Sequence, residues 1–414
     1  MNKIIRNVFV IIMCVVLLLG FNASYTSLNI DNLAYVVALG IDVGENDVYK
    51  VSFQFIPRNK DENSDSSSSS SGNKVVINTV EAPSLNTAIN LMNSYLARKI
   101  NLSHCKVVIF SEKIATNGIA KEIYSLTNNS QARPSTNIII CKNSAERYIR
   151  DTDPVLENSV TKYYEIFPNS SKYTGYIYNA TLGDFFTQLV SSTCEPFAIL
   201  GGINSNMYTN SNSNINNSNN IGDMKSTKTS FSGERGSENI GIAVFKDDKL
   251  VGELDATETL CLSIITGQVS SFLIHVPNSQ NNNEEIDLII YPSGKKDITV
   301  DIINGSPYIT FNEKFVGKIY SASRDKKYLD AEEIKYLSNL TNQYLKNILT
   351  NYLYKTSLEY KSDINDFGKY ALSKFLTIDD FNNYNWRNSY KSSTFKVNID
   401  TQVQTGFLIT EIKD

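Results

Sequence analysis

The chain has 414 residues, 41% of them hydrophobic and 20% charged, enough for two or three domains with real cores. Its net charge of -4 and sequence pI near 5.5 carry no basic footprint, which argues against nucleic acid as a partner. Two histidines and five cysteines, with no CxxC and no Cys/His pairing at ligand spacing, argue against a zinc site.

The first element is the charge-free run Val8 to Phe21, preceded by Lys3 and Arg6. Basic residues ahead of an apolar run mark an export signal, with the basic end on the cytoplasmic side. The chain from about Asn22 onward is therefore expected outside the cytoplasmic membrane. The run is shorter than the roughly 20 residues of a spanning helix, and Phe21 fits badly at a cleavage site that would use Ala23. Residues 1–24 are read as an uncleaved signal or anchor. Cys14 sits inside the run, while Cys105, Cys141, Cys194 and Cys261 are scattered and read as buried free thiols.

Ile30 to Val43 is apolar and β-branched and reads as a strand, joined through Gly44-Glu45-Asn46-Asp47 to the alternating strand Tyr49 to Ile56. The Ser-rich stretch Asp61 to Asn73 can build no core, and Val75 to Val80 returns as a third strand. Ser84 caps a helix whose Leu85, Ala88, Ile89, Met92 and Leu96 share a face. Two strand–helix units follow, Cys105–Phe110 with Glu112–Leu126 and Asn137–Cys141 with Ser144–Arg150, which predict a parallel or mixed sheet. Pro154–Tyr173 and Thr181–Ser191 read as helical, the second opening on a Thr181/Asp184 pair like a capping box.

Ser205 to Glu238 is Asn- and Ser-rich without apolar periodicity and reads as a linker. The expected division is a domain over 28–202, a linker over 203–238 and a second domain over 239–412. That second domain opens with a hairpin around Lys246-Asp247-Asp248-Lys249 and a short helix, Thr257–Ile265, ended by Gly267. Strands follow at Val269–Val276, Ile286–Tyr291, Ile298–Ile303 and Tyr308–Tyr320. Asp330 to Tyr360 reads as one long helix with an apolar stripe that includes Leu337, Leu345, Leu349, Tyr352 and Leu353. A second helix, Asp366–Phe375, and a strand, Thr394–Ile409, close the chain. The fold class is α+β: multi-domain, mixed sheets with packed helices and one long C-terminal helix.

Three blocks of this sequence resemble the Ger(x)C proteins, the C subunits of bacterial spore germinant receptors. They are IDNLAYVVALGIDVGENDVYKVSFQF; the stretch with His104, Gly118-Ile119 and Arg133-Pro134; and GIAVFKDDKLVGELDATET, continued by Ser362-Asp363, Phe367-Gly368, Trp386 and TQVQTGFL. The resemblance implies an extracytoplasmic protein on the spore inner membrane, acting with an A and a B membrane subunit to sense a small-molecule germinant. It also implies a lipidated cysteine near the end of the signal. Ser24 stands at that position here, and serine cannot form the thioether, so the uncleaved helix is expected to replace the lipid.

His104 and His275 each lie beside a strand and read as structural. Asp151 and Asp153, ahead of Pro154, read as turn and cap residues. GxSxG, HExxH, P-loop and GxGxxG motifs are missing from the sequence, so a non-enzymatic subunit without a cofactor is expected. The alternatives are a membrane-anchored extracellular ligand-binding protein or adhesin acting alone, and an envelope hydrolase. Ser362 to Gly368 joins the long helix to the next. Its Asp363 and Asp366 are candidates either for helix caps or for an exposed contact with a partner.

Overall fold

The computed structural model describes residues 3–20, 32–56, 76–154, 156–157, 159–204, 224–227, 236–277, 285–321 and 331–404. The apolar run forms helix α1 (Lys3–Gly20), 18 residues long. Its Ile4, Ile5, Val8, Phe9, Val10, Ile11, Ile12 and Met13 are all exposed. Among the described residues no helix is long and apolar enough to cross a membrane. Ser24 lies outside the described residues.

The N-terminal half is a nine-stranded mixed sheet. Its inner strand β1 (Leu33–Val43), third from one edge, is buried from Val36 to Asp42. The antiparallel β2 (Tyr49–Phe55) and β3 (Val76–Ala82) flank it on one side, with β3 at the edge. Helix α2 (Leu85–Leu96) starts at the Ser84 cap, whose hydroxyl accepts from the Thr87 N–H at 3.1 Å. The short β4 (Lys99–Asn101) pairs with the start of β1. On the other side β5 (Val107–Ser111), β6 (Asn137–Cys141) and β7 (Phe197–Ile203) run parallel to β1. Their crossovers hold α3 (Glu112–Asn117), α4 (Ala120–Thr127), α5 (Ala145–Asp151), α6 (Val160–Ile166) and α7 (Leu182–Val190). Antiparallel β8 (Ser237–Lys246) and β9 (Lys249–Leu254) finish the sheet. Strands buried on both faces suit the apolar runs VVIFS and NIIIC, since parallel strands are covered twice.

Helix α8 (Ala256–Thr266) starts with an Asp255/Glu258 capping box and stops at Gly267 with φ +79°. It leads to a five-stranded sheet of β10 (Phe272–Pro277), β11 (Glu285–Pro292), β12 (Asp297–Ile303), the 16-residue β13 (Ser306–Ser321) and, parallel to β13, β14 (Thr394–Gln404). The long helix α9 (Ala331–Tyr354) lays Leu337, Leu345, Leu349, Tyr352 and Leu353 against β14 and α8. It runs on into a π-helical turn, Lys355–Glu359. Three short helices, α10 (Gly368–Ala371), α11 (Ile378–Tyr384) and α12 (Trp386–Ser389), connect that turn to β14.

Four boundaries differ from the sequence expectation. The helix expected over Glu112–Leu126 is two, broken where Gly118 takes φ +110°. The helical stretch from Pro154 starts only at Val160 and ends in a 3-10 turn, Phe167–Lys172. The short helix expected from Asp366 begins at Gly368, because Asp366 takes φ +57°. The tract read as a linker does not separate one sheet from another. β7 and β8 on either side of it are antiparallel neighbours, so a single sheet runs across the expected boundary. Within the tract Ser226 is buried, with its hydroxyl donating to the Leu200 carbonyl at 2.8 Å. Most of the rest of the tract lies outside the described residues.

Candidate functional site: a buried junction between the two halves

Several residues of the second and third sequence blocks, Gly118-Ile119, Asp248, Ser362-Asp363, Gly368 and Trp386, converge on one place, the β8–β9 hairpin and its contacts with the α3–α4 break and the segment after α9. Asp363 is fully buried. Its Oδ2 accepts from Trp386 Nε1 at 2.8 Å and from the Gly368 N–H at 3.1 Å, and its Oδ1 from the Asn365 N–H at 3.1 Å. Burial pushes the Asp363 carboxyl up to about 7, against the pull of the Trp386 N–H and the backbone amides of Phe367 and Gly368. The indole packs in turn on Tyr390, which stacks with Phe367. A side chain at Gly368 would strike the Thr193 carbonyl, so glycine at this position lets the two halves approach. Ser362 Oγ donates to the Phe245 carbonyl of β8 at 2.6 Å, and the Asp363 carbonyl accepts from the Glu195 N–H at 2.9 Å.

Glu195 is the second buried acid of the junction. Its carboxylate accepts from Lys246 Nζ at 2.6 Å, from the Asp247 N–H at 2.8 Å and from Arg387 Nη2. Lys246 Nζ also donates to the Arg387 carbonyl at 2.9 Å, and Arg387 Nη1 pairs with Asp247 at 3.2 Å. One buried carboxylate thus takes two cations, which removes the large cost of leaving it unpaired. On its other flank the hairpin meets the α3–α4 break. The Ile119 N–H donates to the Asp248 carbonyl at 3.0 Å and the Ala120 N–H to Asp248 Oδ2 at 3.3 Å. A Cβ on Gly118 would sit 2.5 Å from that carboxylate. The motif Lys246-Asp247-Asp248-Lys249 is therefore gripped from both halves of the chain.

Asp363 and Asp366 do not stand as the exposed pair expected from their loop. Asp363 has no exposed surface, so its side chain is closed to a partner. Instead it tethers the N–H of Gly368 at the start of α10. Asp366 keeps about 35% side-chain exposure, accepts from Thr193 Oγ1 at 2.8 Å and pairs with Lys369 at 3.3 Å. The histidines lie away from the junction: His104 meets Tyr35 edge-on at 4.7 Å, and His275 Nδ1 lies 2.7 Å from Asp287. Asp151 closes α5 and accepts from Arg147 at 3.2 Å. Among the described residues no group of three or more His, Cys, Asp or Glu side chains could hold a metal ion. Sequence reasoning missed Glu195 and Arg387. A lone acid before a proline and an arginine beside a tryptophan give no periodic or spacing signal, and they meet 192 residues apart.

Comparison with known proteins turns this arrangement into an identification. Residues 26–200 match the family described as spore germination protein N-terminal domain, and residues 240–406 match the spore germination B3/GerAC-like C-terminal family. The chain belongs to the Ger(x)C spore germination family. A putative spore germination protein, YfkR of Bacillus subtilis (strain 168), is 25% identical over 259 residues, which is 60% of this chain. The match spans 59% of that relative's own length. The crystal structure of the GerBC protein superposes with a TM-score of 0.51 at 16% identity, over 88% of this chain and 96% of that one. That likeness extends the shared fold across both halves of this Ger(x)C protein. The junction residues Gly118, Asp248, Asp363, Gly368 and Trp386 fall within the two matched regions.

Proposed function

We propose that this chain is the C subunit of a spore germinant receptor, acting with A and B membrane subunits in nutrient-triggered germination. The observation that carries the proposal is the match of both halves, in order, to the two spore germination families. The role is read as non-enzymatic: the buried charges of the junction are spent on one another, and they fix the two halves as one platform. Helix α1 is the proposed tether to the outer face of the spore inner membrane. Its residues Ile4, Ile5 and Val8 to Met13 are exposed, apolar surface that a membrane would cover. Asp366, which reaches solvent, inherits the proposed partner contact that Asp363 cannot make. The germinant is taken to be sensed by the assembled receptor.

Purification of the full chain, tagged at its C-terminus, from spore membranes tests this reading. The A and B subunits should co-purify, and the chain should stay with the membrane through alkaline carbonate washing. Release by carbonate would refute the tether, and recovery of the chain without either subunit would refute the assembly.

A further inference from the structure

The nine-stranded sheet begins at Leu33, which pairs with Lys99 of β4 at one corner of the sheet. The end of β2 returns to that corner, where the Ile56 N–H donates to the Tyr35 carbonyl at 3.2 Å, and Val76 of β3 lies opposite Phe55. Helix α2 ends beside them: its Asn93 side chain accepts from the Ile100 N–H of β4 at 2.7 Å. The helix already buries Leu85, Ala88 and Met92 against the sheet. Leu91 and Tyr95, one turn apart, form a second apolar row that faces outward, 46% and 75% exposed. Ile56 and Val76, at the neighbouring strand ends, are 43% and 44% exposed. The fold gives none of these four side chains an apolar partner that explains it.

The same corner is basic. From Ala82 to Ser111 the chain carries Arg98, Lys99 and Lys106 and no acid. Arg98 and Lys99 are exposed, directly after the end of α2. The adjoining segment is held there by Gln131 Oε1, which accepts from the Leu102 N–H at 3.2 Å, and it adds the exposed Arg133. Among the described residues none of these four cations pairs with a carboxylate. Glu81, the acid of β3, lies toward the other end of that strand, where it accepts from the Glu45 N–H at 3.4 Å. Unpaired positive charge thus gathers at one corner of a chain whose net charge is -4.

We propose that this corner lies on the surface of the bilayer, with Tyr95 and its apolar neighbours in the headgroup layer and Arg98, Lys99, Lys106 and Arg133 against anionic lipid headgroups. The inference rests on the reading of α1 as the tether. Residues 21–31 separate α1 from the start of the sheet at Asn32. That length of chain reaches at most about 43 Å, which bounds how far this corner stands from the membrane that holds α1. A lipid surface is the anionic partner within that reach. Tyrosine among aliphatic side chains, with lysine and arginine beside it, suits the boundary between acyl chains and headgroups, and basic clusters there are drawn to anionic lipid. The contact would fix the orientation of the whole body on the membrane, which a tether alone does not.

The full chain in lipid nanodiscs tests the contact, with brominated acyl chains as quenchers of tryptophan fluorescence. Trp386 is buried and gives a constant background. Tyr95→Trp is the reporter, and Tyr320→Trp, at a tyrosine of the second sheet that is 67% exposed, is the control. In discs of phosphatidylcholine with phosphatidylglycerol, the reporter at 95 should be quenched severalfold more than the one at 320. Each basic residue near an anionic surface adds about fivefold in affinity. Arg98→Glu with Lys99→Glu, or discs of phosphatidylcholine alone, should therefore bring the two reporters level. Equal quenching at 95 and 320 in a chain that stays with the anionic discs would overturn the inference and leave the tether standing. Preferential quenching at 95 that ignores both charge reversal and lipid charge would overturn the headgroup contact. A tryptophan at 95 with blue-shifted emission but no lipid quenching would mean a protein cover, from a second copy or a receptor subunit, and would overturn it too. Loss of the chain from the discs would refute the tether, and the inference with it.

Discussion

Asp363→Ala separates a helix cap from a junction that holds two halves together. An exposed capping aspartate costs about 1 kcal/mol on truncation. Asp363 has no exposed surface, and its loss would orphan three N–H donors: Trp386 Nε1, the Gly368 amide and the Asn365 amide. A buried donor without an acceptor costs about 1–3 kcal/mol, so the gross loss is about 3–9 kcal/mol. Some of that is returned because a carboxylate no longer has to be buried, and the net expectation is about 3–5 kcal/mol. Trp386→Phe keeps an aromatic ring against Tyr390 and removes one donor. In that background Asp363→Ala strands two donors instead of three, so the double variant should be less damaging than the sum by about 1–3 kcal/mol. Urea unfolding of the four chains at pH 8, where Asp363 is ionised, measures the cycle. Additivity within about 0.5 kcal/mol, or a single-variant loss near 1 kcal/mol, would refute the reasoning.

Burial lifts Asp363 and Glu313 to about 7 and, with the nearby Glu258 charge adding to burial, Asp255 to about 6. A folded state that raises a carboxyl binds more protons than the unfolded chain. This stability is complete below about pH 4 and is lost as pH climbs through 6 to 7. The urea midpoint should therefore fall from pH 5 to pH 8, and Glu313→Gln should flatten the fall; a rising midpoint would contradict the burial argument. Gly118→Ala places a Cβ at φ +110° against Asp248 and should cost about 1–3 kcal/mol by thermal or urea unfolding. Burial pushes the thiols of Cys105, Cys141 and Cys194 up to about 12, and that of Cys261 well above its usual value. A thiol-exchange reagent at pH 8 should leave all four unreacted until urea is added, and rapid native labelling of any of them would show that its site opens.

Elements with strong periodicity were legible in the sequence: the β1–β2 hairpin, the Ser84 and Thr181 caps, the α9 stripe and the two strand–helix units of β5 and β6, whose order in the sheet beside β1 was not. Strand β7 was not. Its Gly201-Gly202 pair weakens any strand pattern, yet the strand is buried along its length, and a side chain at Gly201 would strike Ile139. The small helices α11 and α12 were missed because each is too short for a 3.6-residue stripe. The junction was half visible. Gly118, Asp363, Gly368 and Trp386 stood out in the sequence blocks, but their common address depends on contacts more than a hundred residues apart. The exposed reading of Asp363 failed because a loop between two helices is normally solvated, and here the β8–β9 hairpin and the aromatic cluster of Phe367, Trp386 and Tyr390 close over it.

The most direct test of the account is germination itself. Spores lacking this chain should lose their response to at least one nutrient. The full chain should restore it, and a chain without residues 3–20 should not. Spores that lack the chain and still respond normally to every nutrient tested would contradict its assignment as a germinant receptor subunit.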